Sequence, residues 1–207
     1  MSDHAGGHGT ATLYEASKLD CVCDPELRAA WPSARLAGPA FTIRGMGGDN
    51  LALHHAVLAA PPGCVLVADL DGAAHGHWGE ILAVAAQHRG ITGLVIDGGV
   101  RDVDELARIG FPVFARTVTV RGTSKDHPGD FNVPVRIGGI IVRPGDLIVG
   151  DADGVIALPS NAIAETVARA DQRIRDEQQI VAALRQGATT VDVYHLNPRD
   201  DALTPSR

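Results

Sequence analysis

Two glycine-rich segments of the sequence each end in an acidic residue at the start of a helix-like stretch. DGAAHGHWGE (71–80) follows the apolar run CVLVADL and ends at Glu80, and DGGVRD (97–102) follows ITGLVI and ends at Asp102. If the two preceding strands are neighbours in a parallel sheet, these segments lie at the edge where α/β proteins bind ligands. Two carboxylates that lie close together, with no cysteine beside them, suit a hard cation. The sequence therefore predicts a Mg²⁺ or Mn²⁺ site at Glu80 and Asp102.

Arg101 and the start of the helix at residue 79 provide groups that bind anions. The guanidinium is always charged and can pair with a carboxylate or an oxyanion. A helix N-terminus exposes backbone N–H groups, here those of Gly79, Glu80, Ile81 and Leu82. Together with a cation, these groups would suit a small 2-oxo acid. The alternative is an exposed Arg101–Asp102 salt bridge in a turn, worth ~0–1 kcal/mol.

Glu177 interrupts the apolar stripe of a long predicted helix near the C-terminus. The apolar positions follow a spacing of four and three residues: Ile163, Val167, Ala170, Ile174, Val181 and Leu184. A carboxylate on such a face must be paired, neutralised or bound to a metal, because burial of an isolated charge is costly. Glu177 could instead lie at the edge of the stripe or meet an arginine in a subunit contact, and the pattern leaves these alternatives open.

Several histidines and one Ser-Lys-Asp triplet give weaker indications of chemistry. His75-x-His77 and His54-His55 match no standard zinc spacing, so we do not expect a zinc site. The segment Ser124-Lys125-Asp126 lies in a polar stretch and lacks the G-x-S-x-G pattern of an activated serine. We therefore expect this triplet to be a solvated surface.

The elements that would position these residues alternate between helix and strand in the first half of the chain. The expected helices are 10–36 (interrupted at Pro25 and Pro32), 50–60, 79–90 and 103–110. The expected strands are 38–45, 64–70 and 90–98, with two further short strands within 111–122. Apolar strands that alternate with helices indicate a parallel sheet covered on both faces.

The second half of the chain is richer in β-structure. A polar loop at 123–132 precedes three expected strands within 134–159, separated by Gly, Pro and Asp turns. A long helix is expected from Ser160, as its N-cap, to Arg185, with Gly187 closing it. We expect a single α/β domain over residues 1–207, with a flexible arm at 1–10 and a polar tail at 197–207.

Composition excludes some classes of protein. The formal net charge is -7 and no basic block occurs, so we do not expect a nucleic-acid partner. No apolar window approaches the ~18 residues of a membrane span, and the N-terminus does not resemble a signal peptide. We therefore expect no membrane partner. Because Cys21, Cys23 and Cys64 cannot all pair and lack the C-x-x-C spacing, we expect free thiols in a reducing cytoplasm.

On these residues the sequence resembles the RraA-like family, and within it the 4-hydroxy-4-methyl-2-oxoglutarate / 4-carboxy-4-hydroxy-2-oxoadipate aldolases, which are class II pyruvate aldolases. The resemblance covers roughly residues 35–195 and includes GPAFTIRG, HWGEILAVAAQHRGITGLVIDGGVRD, RGTSK and PGDLIVGDADGVIALP. Its most specific element is an acidic residue, twenty intervening residues and then Arg-Asp, which here is Glu80-x20-Arg101-Asp102.

The resemblance implies a role for each of these residues. Asp102 would bind the divalent metal directly, and Glu80 would hold it through a water molecule. Arg101 and the amides of Gly79–Leu82 would bind the substrate, and Arg101 and Glu80 would be the catalytic residues. Glu177 would reach the metal site from a neighbouring subunit, which would account for its place on an apolar face.

The resemblance also implies a fold, an assembly and an activity. The fold would be an α/β/β sandwich of the swivelling-domain type, with a β-rich core flanked by helices, assembled as a homotrimer or a dimer of trimers. The activity would be metal-dependent retro-aldol cleavage of a 4-hydroxy-2-oxo acid to pyruvate and a second keto acid, with oxaloacetate decarboxylation as a side activity. The alternative is a non-enzymatic regulator that binds and inhibits a ribonuclease.

Overall fold

A mixed nine-stranded sheet forms the centre of the protein in a computed structural model, which describes residues 7–196. The strands are β1 (Arg28–Ala29), β2 (Leu36–Arg44), β3 (Val65–Asp69), β4 (Gly76–Trp78), β5 (Gly93–Val100), β6 (Val113–Val118), β7 (Asp130–Phe131), β8 (Val135–Ile137), β9 (Ile140–Val142), β10 (Leu147–Asp151) and β11 (Gly154–Leu158). The helices are α1 (Thr10–Ser17), α2 (Leu51–Ala59), α3 (Glu80–His88), α4 (Val103–Ile109), α5 (Ile163–Arg185), preceded by a 3₁₀ turn at Ser160–Ala162, and α6 (Thr190–Val193).

Four parallel strands form the middle of the sheet. The strand order is β1-β6-β5-β3-β2-β10-β11, in which β6, β5, β3 and β2 run parallel. The edge strands β1 and β10–β11 run antiparallel to their neighbours, so the sheet is mixed. The short strand β4 pairs in parallel with the end of β5, where Trp78 lies opposite Val100. This pairing brings the two glycine-rich segments of the sequence together.

The core has three parts, each packed against the central sheet. Apolar residues of α2, α3 and α4 pack on one face of the parallel strands, around Leu53, Leu82 and Leu106. The separate β8–β9 hairpin covers the other face with Val135 and Val142. Helices α1 and α5 cover β10 and β11. Helices, central sheet and a second β layer form the α/β/β arrangement that the resemblance implies, so the expected fold class is confirmed.

The strand predictions are correct in the middle of the chain and wrong at two later places. Segment 111–122 forms one strand, β6, because its second half ends without a ladder partner beyond Val118. Segment 134–159 forms four strands instead of three, since a tight turn at Gly138 and Gly139 folds its first part into a hairpin. The strand predicted at 90–98 continues to Val100, so the two glycines of DGGVRD belong to β5.

The helix predictions fail mainly at the N-terminal segment. Helix α1 ends at Ser17, and Lys18 takes a left-handed conformation with φ 59°. Residues 21–23 then run along the edge of β11, where Cys23 donates its N–H to the Val155 carbonyl at 2.9 Å. Edge pairing therefore replaces the helix that was expected to continue to residue 36.

The long C-terminal helix is present, but Ser160 does not cap it. A 3₁₀ turn precedes α5, and the Ser160 N–H donates to the Asp146 carboxylate at 3.1 Å. The apolar stripe packs only over its first half, around Ile163, Val167 and the buried Ala170. The second half of α5 therefore leaves apolar positions uncovered within one chain.

The remaining structural expectations concern the ends of the chain and the thiols. His8, within the expected arm, pairs with Asp171 at 2.8 Å, whereas residues 1–6 and the tail at 197–207 lie outside the described residues. Cys21, Cys23 and Cys64 are free and buried, as expected. Within residues 7–196, no helix has the length and apolarity needed to cross a membrane.

Candidate active site

A small cleft of about 130 Å³ lies where β4, the end of β5 and the first turn of α3 meet. Its lining residues come from five segments of the chain: Asn50, His54, Gly76, His77, Gly79, Ile81, Leu82, Arg101, Asp102 and Lys125. The cleft is at the carboxyl ends of the parallel strands, the position at which open α/β sheets bind ligands. It thus contains Arg101, Asp102 and part of the predicted helix N-terminus.

The Asp102 carboxylate lies against the backbone at the start of α3. Its Oδ2 accepts a hydrogen bond from the Glu80 N–H at 3.1 Å. A Cβ added to Gly79 would lie 2.2 Å from the same oxygen, so only glycine fits there. Asp102 itself is left-handed, with φ 56° and ψ 42°, a conformation that is unfavourable for most non-glycine residues. The strained backbone thus occurs at a residue that faces the cleft, and such strain is typical of functional positions.

Arg101 extends into the cleft beside Asp102. Its Nε lies 3.7 Å from Asp102 Oδ2, and its backbone N–H donates to the Trp78 carbonyl at 2.9 Å. About half of the Arg101 side chain is exposed, at 47%. The Arg101–Asp102 pair contributes little to stability at this exposure. The guanidinium therefore remains able to bind an anion in the cleft.

Glu80 contacts one element through its backbone and another through its side chain. Its backbone N–H binds Asp102, but its Oε1 pairs with Arg108 Nη2 of α4 at 2.6 Å. The Glu80 side chain is not among the groups that line the cleft. The two predicted loops therefore meet, while the two carboxylates of Glu80 and Asp102 have separate partners in this structure.

The four amides at the start of α3 belong to Gly79, Glu80, Ile81 and Leu82. The first N–H groups of a helix have no partner within the helix. Asp102 already occupies the N–H of Glu80, and Ile81 and Leu82 line the cleft. The N–H groups of Ile81 and Leu82 can thus bind an anion beside Arg101.

Glu177 does not lie in this cleft within one chain. Its Oε1 forms an ion pair with Arg173 Nε at 2.8 Å on the same helix, and Arg173 also lies 3.5 Å from Glu15 of α1. Glu177 lines a groove between α1 and α5 and a shallow surface further along α5. One protomer alone thus does not bring Glu177 to Asp102. In the described part of a single chain, no three His, Cys, Asp or Glu side chains are placed to hold a metal ion.

His77 is a buried, neutral residue behind the cleft. Its Nε2 accepts a hydrogen bond from the Gly48 N–H at 2.9 Å, and its Nδ1 is 3.2 Å from the Gly99 carbonyl, to which it donates. Burial lowers the pKa of His77, more than the hydrogen bond to the Gly99 carbonyl raises it. Because both ring nitrogens are occupied, His77 fixes the loop before α2 to the end of β5.

Five lining residues were not identified as site residues from the sequence: Asn50, His54, Gly76, His77 and Lys125. Asn50 and His54 lie at the start of α2, and burial followed by the charge of Lys125 lowers the pKa of His54. Lys125 is exposed, as expected for its loop, yet it also faces the cleft. The sequence gave one indication for Lys125, namely that lysine is rare, since Lys18 and Lys125 are the two lysines of the chain.

Comparison with known proteins gives one family and several related chains. The family model described as RraA-like, Aldolase/RraA, matches residues 10–157. A protein of Halalkalibacterium halodurans, provisionally named 4-hydroxy-4-methyl-2-oxoglutarate aldolase, is 35% identical over 161 residues, which are 77% of this chain and 77% of that protein.

Two solved structures are similar over most of the chain. An uncharacterized protein from Pseudomonas syringae pv. tomato str. DC3000 has 30% identity and a TM-score of 0.85, covering 95% of this chain and 93% of that chain. The RNA-processing inhibitor RraA from Thermus thermophilis has 28% identity and a TM-score of 0.67, covering 73% of this chain and 92% of that chain. The relatives thus include both a provisional aldolase and a protein described as an inhibitor of RNA processing.

Proposed function

The chain belongs to the RraA-like family, and from this premise we propose that it is a lyase that cleaves a 4-hydroxy-2-oxo acid to pyruvate and a second keto acid. One observation carries the proposal: the Asp102 carboxylate is seated against Gly79 and Glu80, beside Arg101, at the N-terminus of α3. A carboxylate that can bind a cation and hydrogen-bond donors that can bind a 2-oxo acid are thus adjacent in one cleft.

The residues present fit a hard divalent cation. Asp102 uses Oδ2 for its contacts with Glu80 and Arg101, and within residues 7–196 no protein group is bonded to its Oδ1. Mg²⁺ commonly keeps several water molecules and takes only one or two carboxylates from the protein. Asp102 would hold the ion directly, with Glu80 through water and Glu177 of a neighbouring subunit completing the site. When bound, Mg²⁺ or Mn²⁺ supplies Lewis-acid polarisation of the keto group.

The chain's own groups would bind and orient the substrate. The N–H groups of Ile81 and Leu82 would bind the C1 carboxylate at the helix N-terminus. Arg101 would donate to the C2 keto oxygen, which becomes an oxyanion as the C3–C4 bond breaks. The electron pair of that bond moves toward the keto oxygen and gives the enolate of pyruvate. Return of the proton lost by the C4 hydroxyl, through water, to C3 then releases pyruvate.

The C4 hydroxyl must lose its proton as the C3–C4 bond breaks. His77 is not suited to accept it, because both of its ring nitrogens are already bonded. A water molecule held by the Asp102 or Glu80 carboxylate would take this proton. Decarboxylation of oxaloacetate needs the same oxyanion donors and no hydroxyl base, so it would be a side activity of the same cleft.

A coupled assay tests this function. Pyruvate release from 4-hydroxy-4-methyl-2-oxoglutarate, 4-carboxy-4-hydroxy-2-oxoadipate and oxaloacetate is measured with lactate dehydrogenase, with Mg²⁺, with Mn²⁺ and with EDTA. We expect turnover with metal and its loss with EDTA. Absence of pyruvate from all three acids in the presence of either metal would overturn the proposal.

The similarity to the inhibitor of RNA processing favours one rival function, a regulator that binds a ribonuclease. Such a protein requires a docking surface and no metal-dependent turnover. If the chain slows a ribonuclease of its own organism and the Asp102→Asn variant does so equally, the rival is supported. Turnover that depends on Asp102 supports the lyase.

A further inference from the structure

We propose that His77 is a positioning residue whose neutral ring holds one wall of the cleft closed, and that protonation of this ring in weakly acidic solution opens the wall. The wall consists of two loop segments, residues 46–50 and 123–126, which carry Asn50 and Lys125 into the cleft. The opening itself does not depend on the proposed function, whereas its effect on turnover rests on that function. The inference thus adds an element controlled by pH to the cleft.

His77, on β4, holds the first segment of the wall at two points. Its Nε2 accepts the Gly48 N–H at 2.9 Å, and its backbone carbonyl accepts the Asn50 side-chain amide at 3.0 Å. The other ring nitrogen, Nδ1, is 3.2 Å from the Gly99 carbonyl. A carbonyl can only accept and an N–H can only donate, so these bonds assign the ring proton to Nδ1. One neutral ring therefore ties the first segment to the end of β5.

The second segment of the wall is paired with the first. The Gly48 carbonyl accepts the Ser124 N–H at 2.9 Å, so one glycine contacts both His77 and the second segment. Asp49 is only 2% exposed, and its Oδ2 accepts the Ser124 hydroxyl at 2.5 Å and the Asp126 N–H at 2.6 Å. A displacement of Gly48 would therefore displace both segments.

The pairing between the two segments is held by a charge that persists in weak acid. Burial raises the pKa of Asp49, but hydrogen bonds from the Ser124 hydroxyl and from the amides of Asp126, Leu51 and His127 outweigh burial and lower the pKa to about 2. A buried carboxylate that stays charged needs such a set of donors. The two segments thus remain joined above about pH 4 and can move as one unit.

A second proton on His77 is incompatible with the closed wall. It would sit on Nε2 and point at the Gly48 N–H, so two donors would face each other without an acceptor. The imidazolium charge would also be buried, because His77 is 0% exposed. Burial accordingly lowers the pKa of His77, and the Gly99 carbonyl and the Asp49 charge raise it by less.

The titratable and charged groups around His77 come from the elements that pack against it. The His75 ring centroid is 5.7 Å from that of His77, and its charge lowers the pKa of His77 further. The others belong to the wall, to the start of α2 and to the end of β5: Asp49, His54, Arg101, Asp102, Lys125 and Asp126. Histidine is the type among them that ordinarily changes charge between about pH 5 and 8, so His54 and His75 must be tested beside His77.

The sign of the pH effect follows from the difference between the closed and the open wall. An open wall exposes the His77 ring to water, where its pKa returns toward ~6.5. Because the pKa is lower in the closed state, the closed state is fully favoured above about pH 6.5 and loses stability as the pH falls below it. Uptake of one proton changes the equilibrium by up to about tenfold per pH unit, and local opening requires less free energy than unfolding.

Hydrogen exchange tests the opening without any substrate. Exchange of the peptide that covers residues 46–50 is measured by mass spectrometry from about pH 5 to about pH 7.5 and is corrected for the intrinsic effect of pH on exchange. We expect wild-type protection to fall by up to about tenfold per pH unit below about pH 6.5. In His77→Gln, the amide oxygen can accept the Gly48 N–H but does not titrate, so protection should stay constant. Constant protection in the wild type, or an equal fall in His77→Gln, would overturn the proposal.

Three further variants assign the effect to one histidine. His54→Gln and His75→Gln remove the other histidines near the ring, and His88→Gln removes an exposed histidine on α3. All three should retain the wild-type fall in protection. Loss of the fall in His54→Gln or His75→Gln would assign the proton to that residue and contradict the role of His77. This comparison decides the question even if His77→Gln does not fold.

Turnover at the same pH values separates this inference from the proposed function. Pyruvate release from oxaloacetate is measured with Mg²⁺, and we expect kcat/KM of the wild type to fall together with protection, and to fall less in His77→Gln. A fall in protection without pyruvate at any pH would support the opening of the wall and count against the lyase. Pyruvate release with constant protection would support the lyase and overturn the opening.

Discussion

Gly79 and Asp102 fit together so closely that a side chain on the first would displace the second. The two residues are 23 positions apart, yet a Cβ on Gly79 would lie 2.2 Å from Asp102 Oδ2. The same oxygen accepts the Glu80 N–H, so the carboxylate is seated against the helix start. The backbone at Gly79 and Glu80 thus determines where the Asp102 carboxylate lies.

Gly79→Ala should therefore damage the site more than the fold. We expect the new methyl group to displace the Asp102 carboxylate, with Mg²⁺ affinity reduced by about tenfold or more. Isothermal titration with Mg²⁺ and the coupled assay measure the effect, and thermal unfolding monitors the fold. Gly122→Ala is the control, because nothing lies within 4 Å of a Cβ there. Unchanged Mg²⁺ affinity in Gly79→Ala would mean that this contact does not shape the site.

Asp102→Asn should abolish metal-dependent turnover and leave a stable protein. Asparagine keeps the size of the side chain and tolerates the left-handed backbone at φ 56°, but it lacks the charge that holds a cation. Asp102→Ala should lose activity equally and be less stable by about 1 kcal/mol, since alanine is strained in this conformation. Chemical denaturation and the coupled assay compare the two variants. Normal turnover of Asp102→Asn with Mg²⁺ would sink the site assignment.

Arg101→Ala should lower kcat/KM by roughly 10²-fold or more. The guanidinium is the donor expected at the developing oxyanion, and one such donor is worth ~2.7–4 kcal/mol. Little stability should be lost, because the Arg101–Asp102 pair is exposed. The exposed Arg143→Ala serves as a control that should behave as the wild type. A small effect on KM alone, with kcat unchanged, would show that Arg101 takes no part in the chemical step.

Glu177→Gln tests whether a neighbouring subunit completes the site. We expect activity to fall roughly tenfold or more through a weakened metal site, with assembly retained. Glu165→Gln is a matched control, since Glu165 pairs with Arg169 at the same i, i+4 spacing on α5. Light scattering reports the assembly and the coupled assay reports the rate. A wild-type rate for Glu177→Gln would reduce its role to packing.

Asp49→Asn should change how stability depends on pH. The pKa of Asp49 is lowered from 3.8 to about 2, so its stabilising charge is complete above about pH 4 and is lost as the pH falls toward 2. The wild type should lose about 2 kcal/mol more than the variant over this range, at ~1.4 kcal/mol per pKa unit. Denaturation at several pH values measures the difference, with the exposed Asp20→Asn as control. Parallel pH profiles for wild type and Asp49→Asn would show that Asp49 does not stabilise the fold through its charge.

The parallel part of the sheet was predicted well from the sequence, because each strand and its following helix are marked by patterns of neighbouring residues. Apolar runs at 64–70 and 91–96, each followed by a glycine-rich segment and a helix, correspond to β3, β5, α3 and α4. The N-terminal segment was harder to predict. Its residues 21–23 form an edge along β11, and such pairing depends on residues more than 130 positions away.

The sequence by itself determined which residue types meet: an acidic residue, an Arg-Asp pair and the helix start between them, at the carboxyl ends of two neighbouring strands. Their chemistry and their spacing are properties of the chain, so they could be recognised without coordinates. Only the tertiary structure decided their partners. It pairs the Glu80 carboxylate with Arg108, seats Asp102 on Gly79, and brings Asn50 and Lys125 to the same cleft. These contacts arise from the packing of distant segments, where position depends on the whole sheet and its helices rather than on any local pattern.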